Sequence, residues 1–513
     1  MAACDYFPAV LLPLVFLAIT GLLKRWKTTS QPPYPPGPKP RFLMGNFHDI
    51  PTETPWITYA EWGNRYGDVV HAQVLGNHIV VVNSVNAAME LFEKRSRIYS
   101  DRPTIPMVPL MGWDFVLGFM PHTDKWRQSR RMFHQHLRPD AIVAYHPVQL
   151  RKIHDLLRGL VSTPEDFVEH TKTMAAAIIM ATVYGYDIKP KEDRFVYLAE
   201  EGVKRLTESV LPGGFAVNTL PFLRHFPSWF PGCGFHRFAR DTFELLDEMK
   251  NAPFDFVRQN MRDGVGKLSI LGELLENNDS TQGGSKERED MIKNVAAGAY
   301  VAAADTTAAT LVVFIMAMAL NPEVVRKAQD EIDAVVGFGC LPKFEHRSAL
   351  PYSDAIFREV LRWKPIVPLA IPHATSGDDI YEGYFIPKGT TVLANMWAMA
   401  HNESMYPNSD KFNPERFLNA DGQLNADDHI LGFGFGRRIC VGRHAANASI
   451  WAAIVSILSV FDIAKAKDET GKEIEVEVGF TDGLVSHPKP FKCAITPRSP
   501  DVPGQLMENL TVV

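Results

Sequence analysis

A long apolar stretch at residues 295–320 restricts the possible folds of this chain more than any other segment. It carries one charged side chain, Asp305, among mostly alanine and larger aliphatic residues. Such a stretch is long enough to cross a bilayer. An aspartate followed by two threonines at its centre argues instead for a helix through a soluble core. Gly298, Ala302 and Thr306 recur at helical spacing, so one helix face is small. That face either leaves room beside the helix or packs closely against another one.

The composition of the 513 residues is that of a globular protein, with 46% hydrophobic and 22% charged residues. A formal net charge of -6 gives no bulk attraction for phosphate backbones, so we expect no nucleic-acid partner. The cysteines are scattered and form no Cys-x-x-Cys pair, which excludes zinc ribbons, iron–sulfur clusters and a disulfide framework. They are Cys4, Cys233, Cys340, Cys440 and Cys493.

An apolar segment at residues 7–23 predicts an N-terminal membrane anchor. Lys24 and Arg25 follow it at once, and Asp5 precedes it. A cleavable signal peptide would carry its positive charge before the apolar core, and basic residues mark the cytosolic side. We therefore expect residues 1–28 to be a transmembrane anchor with a luminal N-terminus. The alternative is a buried N-terminal helix.

A proline-rich hinge occupies residues 29–41, where ring-locked backbones favour a stiff, extended spacer. A disordered linker is the alternative. Residues 42–513 show no internal repeat and no second boundary, so we expect one large domain. Within it, alternating residues 69–82 predict strands, helical patterns dominate the rest, and the polar run 277–290 predicts a mobile surface loop.

Residues 433–442 place a lone cysteine, Cys440, between glycines and a helical pattern at 445–458. Arg437 stands where a third glycine would complete a dinucleotide-binding loop, so nucleotide binding is not indicated. Preceding arginines and backbone N–H groups at a helix start are expected to lower the thiol pKa. The thiolate could be a nucleophile with His444 as its base, or a metal ligand. We favour the ligand, because the glycines let the backbone approach a flat cofactor.

The spacing of Phe433, Gly436, Arg438, Cys440 and Gly442 resembles the haem-binding signature of the cytochrome P450 family. Three further signatures occur in the family's order. The resemblance implies a mainly α fold with small β-sheets, formed by a single catalytic domain in which Cys440 binds the iron of haem b. With its anchor and hinge, the chain is similar to microsomal fungal members of the type of O-methylsterigmatocystin oxidoreductase.

Residues 302–307, Ala-Ala-Ala-Asp-Thr-Thr, resemble the oxygen-activation motif of that family. In the family the threonine hydroxyl and the neighbouring acid relay protons to bound dioxygen, which implies this role for Thr306 and Asp305. Ala303 stands where glycine is usual. Its side chain is still small, so we expect the oxygen groove to remain open.

A third signature, Glu359-x-x-Arg362, is completed by Arg416 in the sequence Pro-Glu-Arg-Phe. The resemblance implies that these residues form a structural ion-pair triad that fixes the loop holding Cys440. Removing one partner of a buried pair costs several kcal/mol, so such a triad is sensitive to mutation.

The fourth signature, Trp126-x-x-x-Arg130, resembles the helix that binds a haem propionate. Side chains one turn apart share a helix face, and a guanidinium can form a bidentate pair of hydrogen bonds with a carboxylate. Arg438 takes the same role by its place in the cysteine motif. His373 stands where many members have arginine and is the fourth implied propionate contact.

The resemblance implies a monooxygenase that uses O2 and inserts one oxygen atom into its substrate. Because the chain has no flavin or nicotinamide fingerprint, we expect electrons from NADPH through a separate cytochrome P450 reductase. Lys125, Arg127, Arg131, Arg437 and Arg443 are expected either to form a basic docking face for it or to be ordinary solvated charges.

Apolar segments that the family fold places around the site predict a hydrophobic, weakly polar substrate. A terpenoid of fungal secondary metabolism is the leading candidate, with a polyketide or an aromatic amine as alternatives. The aromatic run 211–238 is expected to dip into the membrane or to form a packed loop. The predicted substrate contacts are Phe115, Leu117, Ala302, Ala303, Val367, Leu369 and Leu484.

Two other functions remain open at this point. One is a haem-thiolate isomerase or dehydratase without O2 activation, although such members tend to lose the distal threonine and acid that are present here. The other is a membrane-anchored thiol hydrolase that uses Cys440 and His444. For the monooxygenase we expect a single-pass protein of the endoplasmic reticulum membrane with its catalytic domain in the cytosol.

Overall fold

The computed structural model describes residues 31–189, 192–210, 214–280, 285–427, 431–502, 504 and 506. They form a mainly helical body with small β-sheets, which confirms the expected fold class. The α-helices are α1 (Pro55–Tyr66), α2 (Val85–Ala88), α3 (Ser96–Tyr99), α4 (Met107–Leu110), α5 (Asp124–Leu137), α6 (Pro139–Ile142), α7 (His146–Ser162), α8 (Phe167–Tyr184), α9 (Arg194–Val210), α10 (Ala216–Thr219), α11 (Phe235–Arg262), α12 (Ile270–Asp279), α13 (Lys286–Leu320), α14 (Pro322–Val335), α15 (Pro351–Trp363), α16 (Met396–Ala400) and α17 (Arg443–Val460). A π-helix spans Met89–Lys94, and 3-10 turns span Val143–Tyr145, Pro164–Asp166, Pro221–His225, Phe344–Ala349, Pro414–Phe417, Leu431–Phe433 and Gly436–Arg438.

The strands form one four-stranded sheet and two ribbons. They are β1 (Val69–Val74), β2 (Asn77–Val82), β3 (His373–Ala374), β4 (Asp379–Tyr381), β5 (Tyr384–Ile386), β6 (Thr391–Ala394), β7 (Phe461–Lys465) and β8 (Cys493–Pro497). The larger sheet has the order β1-β2-β6-β3, and β4-β5 and β7-β8 are antiparallel pairs. The strands predicted at residues 69–82 are confirmed as a hairpin in which Val69 lies opposite Val82.

Helix α13 crosses the centre of the body, as predicted for residues 295–320. It starts earlier than predicted, because Ser285 caps it by accepting a hydrogen bond from the backbone N–H of Arg288. Among the described residues it is the one helix long and apolar enough to span a membrane, but 72% of that stretch is buried inside the protein. It packs most extensively against α8, and also against α12 and α17. It is therefore a core helix.

The surface loop predicted at residues 277–290 is much shorter in the structure. Helix α12 continues to Asp279 and α13 begins at Lys286, so both ends of the predicted loop are helical. Residues 281–284 lie outside the described residues. The polar composition that suggested a loop reflects exposed helix ends, which a periodicity argument over so short a run does not separate from a turn.

The proline-rich segment is attached to the body over much of its length. The backbone N–H of His71 donates to the Pro36 carbonyl at 2.9 Å, and that of Phe385 donates to the Pro33 carbonyl at 2.8 Å. The Tyr34 ring stacks on the His71 ring at 4.8 Å. The segment thus bridges the four-stranded sheet and the β4-β5 ribbon rather than standing apart as a spacer. The predicted anchor, residues 1–28, lies outside the described residues.

Candidate active site

The loop that carries Cys440 turns back onto itself just before helix α17. The Cys440 backbone N–H donates to the Phe433 carbonyl at 2.9 Å, and α17 begins at Arg443 with Gly442 as its N-cap. The backbone N–H groups of Gly442 and Arg443 act to lower the pKa of the thiol. The helix predicted after the cysteine is confirmed, and its N-terminal end lies next to the sulfur.

Gly436 locks this loop against the π-helix. Its φ is +54°, and a Cβ at this position would lie 2.2 Å from the Phe92 carbonyl oxygen, so no other residue fits. Its N–H donates to the Glu93 carboxylate at 2.6 Å. The next ring, Phe435, stacks on Phe92 with centroids 5.9 Å apart. Three contacts thus fix the loop before it reaches Cys440.

The Cys440 side chain is accessible, yet burial raises the pKa of its thiol. Accessibility and burial are compatible if the sulfur lines a recess inside the protein. The N–H groups and the charges of Arg130 and Arg443 oppose the shift, but burial is the largest cause. The prediction of a lowered thiol pKa is therefore wrong for the protein alone. A metal ion at the sulfur would reverse the sign, because coordination removes the thiol proton.

On α13, residues 302–306 are accessible although the helix is buried on both sides of them. The Thr306 hydroxyl donates to the Ala302 carbonyl at 2.8 Å. Asp305 points elsewhere: its Oδ1 lies 2.8 Å from Nε2 of His487. The small helix face therefore leaves room beside the helix, as one of the two alternatives predicted.

Arg438 ties three backbone segments together. Its Nε, Nη1 and Nη2 donate to the carbonyls of Ser100, Leu117 and Met120 at 2.7, 3.2 and 2.9 Å. Its guanidinium carbon lies 4.2 Å from the centre of the Trp126 ring. A guanidinium has five N–H donors, so two of them are still free for a further acceptor.

Trp126 and Arg130 share one face of α5, as predicted. Trp126 is 3% exposed, and the Arg130 guanidinium lies 5.6 Å from its ring centre. Nη2 of Arg130 donates to the Ile439 carbonyl at 2.6 Å, directly before Cys440. The helix is thereby joined to the cysteine loop.

His373, on β3, is buried next to the same cations. Its Nδ1 lies 2.7 Å from the Tyr99 carbonyl, and since a carbonyl can only accept, Nδ1 carries the proton. Burial, followed by the charge of Arg102 and later that of Arg438, lowers the pKa of His373 well below its usual range. The ring is therefore neutral in the protein alone.

The structure adds Arg102, which the sequence interpretation missed. Its Nη1 donates to the carbonyls of Ile371 and Pro372, both at 2.7 Å, while its buried Nε has no partner. Burial lowers the pKa of Arg102 well below its usual range, and Arg438 lowers it further. No local pattern marks this arginine, because the residues around it come from segments far away in sequence.

These residues fit a haem. Arg102, Arg130 and Arg438 crowd one region where Asp101 supplies the negative charge that acts on Arg102 and Arg438. Buried cations need an anion, and two propionates would provide it. Across the described residues no group of three or more His, Cys, Asp or Glu side chains could hold a metal ion. A single accessible thiol suits a metal whose other ligands come from a porphyrin.

The predicted triad is present, with Glu359 and Arg362 buried and Arg416 half-buried. Glu359 receives Nε and Nη2 of Arg362 at 2.6 and 2.8 Å, and Nε of Arg416 at 3.3 Å. Glu359 is 0% exposed. Its Oε1 also accepts the Asn413 N–H at 2.7 Å. Because α15 contacts both the Pro414–Phe417 turn and the Leu431–Phe433 turn at the start of the cysteine loop, the triad supports that loop through the helix.

The arrangement gives no support to a Cys-His nucleophile. In the described part of the chain no hydrogen bond joins His444 to Cys440, and His444 is not among the groups that shift the pKa of the thiol. The pKa of His444 is lowered by burial and by the charge of Arg443. A general base must reach the proton that it removes.

The predicted substrate contacts are placed unevenly. Leu117 and Ala303 are half-buried on one apolar cluster, whereas Phe115 is 8% exposed and stacked on Trp113 at 5.8 Å. Its ring is therefore used mainly in packing. Ala302 is exposed, and the remaining three contacts are half-buried on two segments joined by the Ser486 N–H and the Ile366 carbonyl at 2.7 Å. They are Val367, Leu369 and Leu484.

Comparison with known proteins agrees with this geometry. A model of the family "Cytochrome P450" matches residues 35–495. The chain is 38% identical over 496 residues to cytochrome P450 monooxygenase COX1 of Coprinopsis cinerea, which covers 95% of this chain and 96% of that protein. It is 40% identical over 490 residues to cytochrome P450 monooxygenase 208 of Postia placenta, covering 95% and 94%. It is also 40% identical over 470 residues to cytochrome P450 monooxygenase claR of Ampulloclitocybe clavipes, covering 91% and 86%. Matches of this extent show that the chain belongs to the cytochrome P450 family, whose members are haem-containing monooxygenases.

Proposed function

We propose that Cys440 is the thiolate ligand of a haem b whose propionates are held by Trp126, Arg130, His373 and Arg438, with Arg102 as an additional contact. The observation that carries this assignment is the accessible sulfur beside buried arginines that lack enough acid partners. Each propionate would accept hydrogen bonds from the Trp126 indole N–H and from arginines that are costly to bury without an anion. His373 would donate from Nε2 only in its protonated form.

The haem, when bound, supplies thiolate-supported oxygen activation that inserts one oxygen atom into a C–H or C=C bond. The chain's own residues would exclude water and deliver protons. The Thr306 hydroxyl holds a proton at the accessible centre of α13, and Asp305 renews it. An isomerase or dehydratase needs neither group, so their presence at this position supports the monooxygenase.

The proposed substrate is a hydrophobic, weakly polar molecule of secondary metabolism, with a terpenoid as the first candidate. Support comes from the apolar character of Leu117, Ala303, Val367, Leu369 and Leu484. Apolar walls with few polar groups favour ligands of this kind. A polyketide or an aromatic amine is the alternative.

Electrons would come from NADPH through a separate membrane-bound reductase. Lys125, Arg127 and Arg131 are exposed on α5, on the helix that joins the cysteine loop through Arg130. Arg127 is paired with Asp124, which reduces its share in a basic face. An acidic partner surface would associate faster with such a face at low salt.

The proposed location is the endoplasmic reticulum membrane, with residues 1–28 as anchor and the body in the cytosol. Exposed aromatic side chains in the run 211–238, Trp229 at 81% and Phe222 at 56%, support contact with lipid. Asn402 lies in a glycosylation sequon. A glycan on Asn402 in expressing cells would place the body in the lumen and refute this topology.

The first experiment is spectroscopic. Reduced holoprotein with carbon monoxide should absorb near 450 nm, and Cys440→Ser should lose that band. Wild-type protein without a haem chromophore would refute the assignment. In microsomes with a reductase, a library of terpenes and polyketides should then give products one oxygen atom heavier, formed only with NADPH and O2. Products formed without O2 would indicate the isomerase or dehydratase.

A second experiment tests the proton assignment. Thr306→Ala should keep the haem and the carbon monoxide band. The ratio of hydrogen peroxide to oxygenated product should rise by about ten-fold or more. Thr306→Ser, which retains the hydroxyl, should recover most of the coupling. Unchanged peroxide release in Thr306→Ala would show that the hydroxyl has no such role.

A further inference from the structure

Asp305 is paired with a histidine that no sequence signature predicted. Nε2 of His487 lies 2.8 Å from Oδ1 of Asp305, although the two residues are far apart in sequence. We propose that His487 is a positioning residue of Asp305 that also supplies it with protons from solvent. This inference rests on the proposed roles of Asp305 and Thr306 and extends them by one residue.

The loop that carries His487 is rigidly held. The N–H of Thr481 donates to the His487 carbonyl at 2.8 Å, and the His487 N–H donates to the Thr481 hydroxyl at 3.0 Å. Between them, the Ser486 hydroxyl donates to the Thr481 carbonyl at 2.8 Å, and the Ser486 N–H donates to Ile366. These bonds fix the backbone of His487, which favours a constant distance between its ring and Asp305.

Of the two paired side chains, His487 is the more exposed to solvent. The side chain of His487 is 37% exposed and that of Asp305 is 27% exposed, and Thr306 is the next residue along α13. When Asp305 is ionised, Nε2 must carry the proton, since a carboxylate only accepts. Nδ1 has no partner in the part of the chain that the structure describes, so it is free for water.

The remaining charges near the pair also suit proton delivery. Glu200 on α9 interacts with Asp305 and with Lys172 and Glu169 on α8. Burial raises the pKa of Glu200, while Lys172 lowers it and the two acids raise it further. Glu200 and Asp305 therefore repel each other when both are ionised, which favours a proton on one of the two carboxyl groups.

The proposed step involves protons only. A hydronium ion of the solvent gives a proton to Nδ1 of His487 and becomes water, while the proton on Nε2 moves to Oδ1 of Asp305. The imidazole is left neutral with its proton on Nδ1, and exchange with water restores the other tautomer. Asp305, the residue that precedes Thr306 on α13, then carries the proton. A purely structural histidine would hold the loop but would transfer nothing.

The test uses His487→Gln in the reductase-coupled holoprotein. A glutamine amide can still donate to Asp305, so the loop and the substrate-induced spectral shift should be unchanged, as should hydrogen–deuterium exchange at residues 481–487. We expect a fall in kcat of about ten-fold at constant KM, more peroxide per NADPH, and a larger solvent isotope effect. The variant His48→Gln, at an exposed histidine, is the matched control and should behave as wild type.

A double variant decides the interpretation. In an Asp305→Asn background, His487→Gln should have no added effect, because both residues act on one step. Additive effects, or wild-type coupling in His487→Gln, would each overturn the inference. If Thr306→Ala uncouples the enzyme but His487→Gln does not, only this inference fails; if neither does, the proposed proton route fails as well.

Discussion

The Phe92 carbonyl oxygen occupies the space where Gly436 would carry a side chain, with 2.2 Å between that oxygen and a Cβ. Gly436→Ala must therefore push the cysteine loop away from the π-helix. We expect a protein with little bound haem, measured as the ratio of haem to protein and as the size of the 450 nm band.

Gly434 provides the control for that variant. Its φ is also positive, +76°, but nothing lies within 4 Å of a Cβ there. Gly434→Ala should cost about 1–2 kcal/mol of backbone strain and keep its haem. Equal haem loss in both variants would mean that strain, and not the Phe92 contact, is responsible.

The buried triad predicts a large stability effect. Glu359→Gln leaves Arg362 and Arg416 without their counter-charge in a site that is 0% exposed, and the free energy of unfolding should fall by about 3–5 kcal/mol. Urea titration of the holoprotein measures it. The exposed pair of Arg194 and Glu248 is the matched control, and Glu248→Gln should leave the urea midpoint nearly unchanged. A similar loss in both variants would contradict the argument.

Substitution of Arg102 should change haem affinity without lowering the free energy of unfolding. Arg102→Gln removes a buried cation that has an unpaired Nε, so the unfolding free energy of the haem-free protein should stay level or rise. Haem affinity should fall by about 1.5–3 kcal/mol, roughly ten- to hundred-fold, through loss of a charged hydrogen bond. Haem transfer to apomyoglobin measures this. Arg97→Gln, at an exposed position, should change neither quantity. Unchanged haem retention in Arg102→Gln would exclude a propionate contact.

His401 predicts a pH dependence of stability. Burial first, and then Lys364, lower its pKa to about 4 in the folded protein, whereas the unfolded chain titrates near 6.5. Between these values the unfolded state binds the extra proton, so stability is full above about pH 6.5 and falls on acidification. From pH 6.5 to 5 His401 should contribute a loss of about 2 kcal/mol.

His401→Phe tests that slope, because a phenyl ring can keep the stack on Trp397. Urea unfolding at both pH values should show a smaller difference between them than in wild type. His48→Phe, at an exposed histidine, should retain the wild-type slope. A His401→Phe slope equal to that of wild type would show that other groups cause the acid sensitivity.

The spacing of residues within the motifs was sufficient to predict those contacts of the site whose two partners lie on the same helix. Glu359 and Arg362 are one helical turn apart, as are Trp126 and Arg130, so their pairing follows from helix geometry. The small face around Thr306 was predicted for the same reason.

The features that the sequence interpretation missed depend on contacts between distant segments. Arg102 meets carbonyls at residues 371 and 372, and His487 meets Asp305, and neither pairing has a local pattern. The prediction of a lowered pKa for the Cys440 thiol was wrong for a related reason. The neighbouring charges can be read from the sequence, but the burial of the sulfur cannot.

Pro33 and Pro36 are attached to two different sheets of the body. If residues 7–23 span the bilayer, this attachment limits the distance between the body and the membrane. Roughly nine linking residues then remain before Pro33, with an extended length of about 30 Å. This tether is no longer than the bilayer core is thick. One flank of the body would therefore stay next to the lipid surface in every orientation, so a lipid-dissolved compound would need no passage through bulk water.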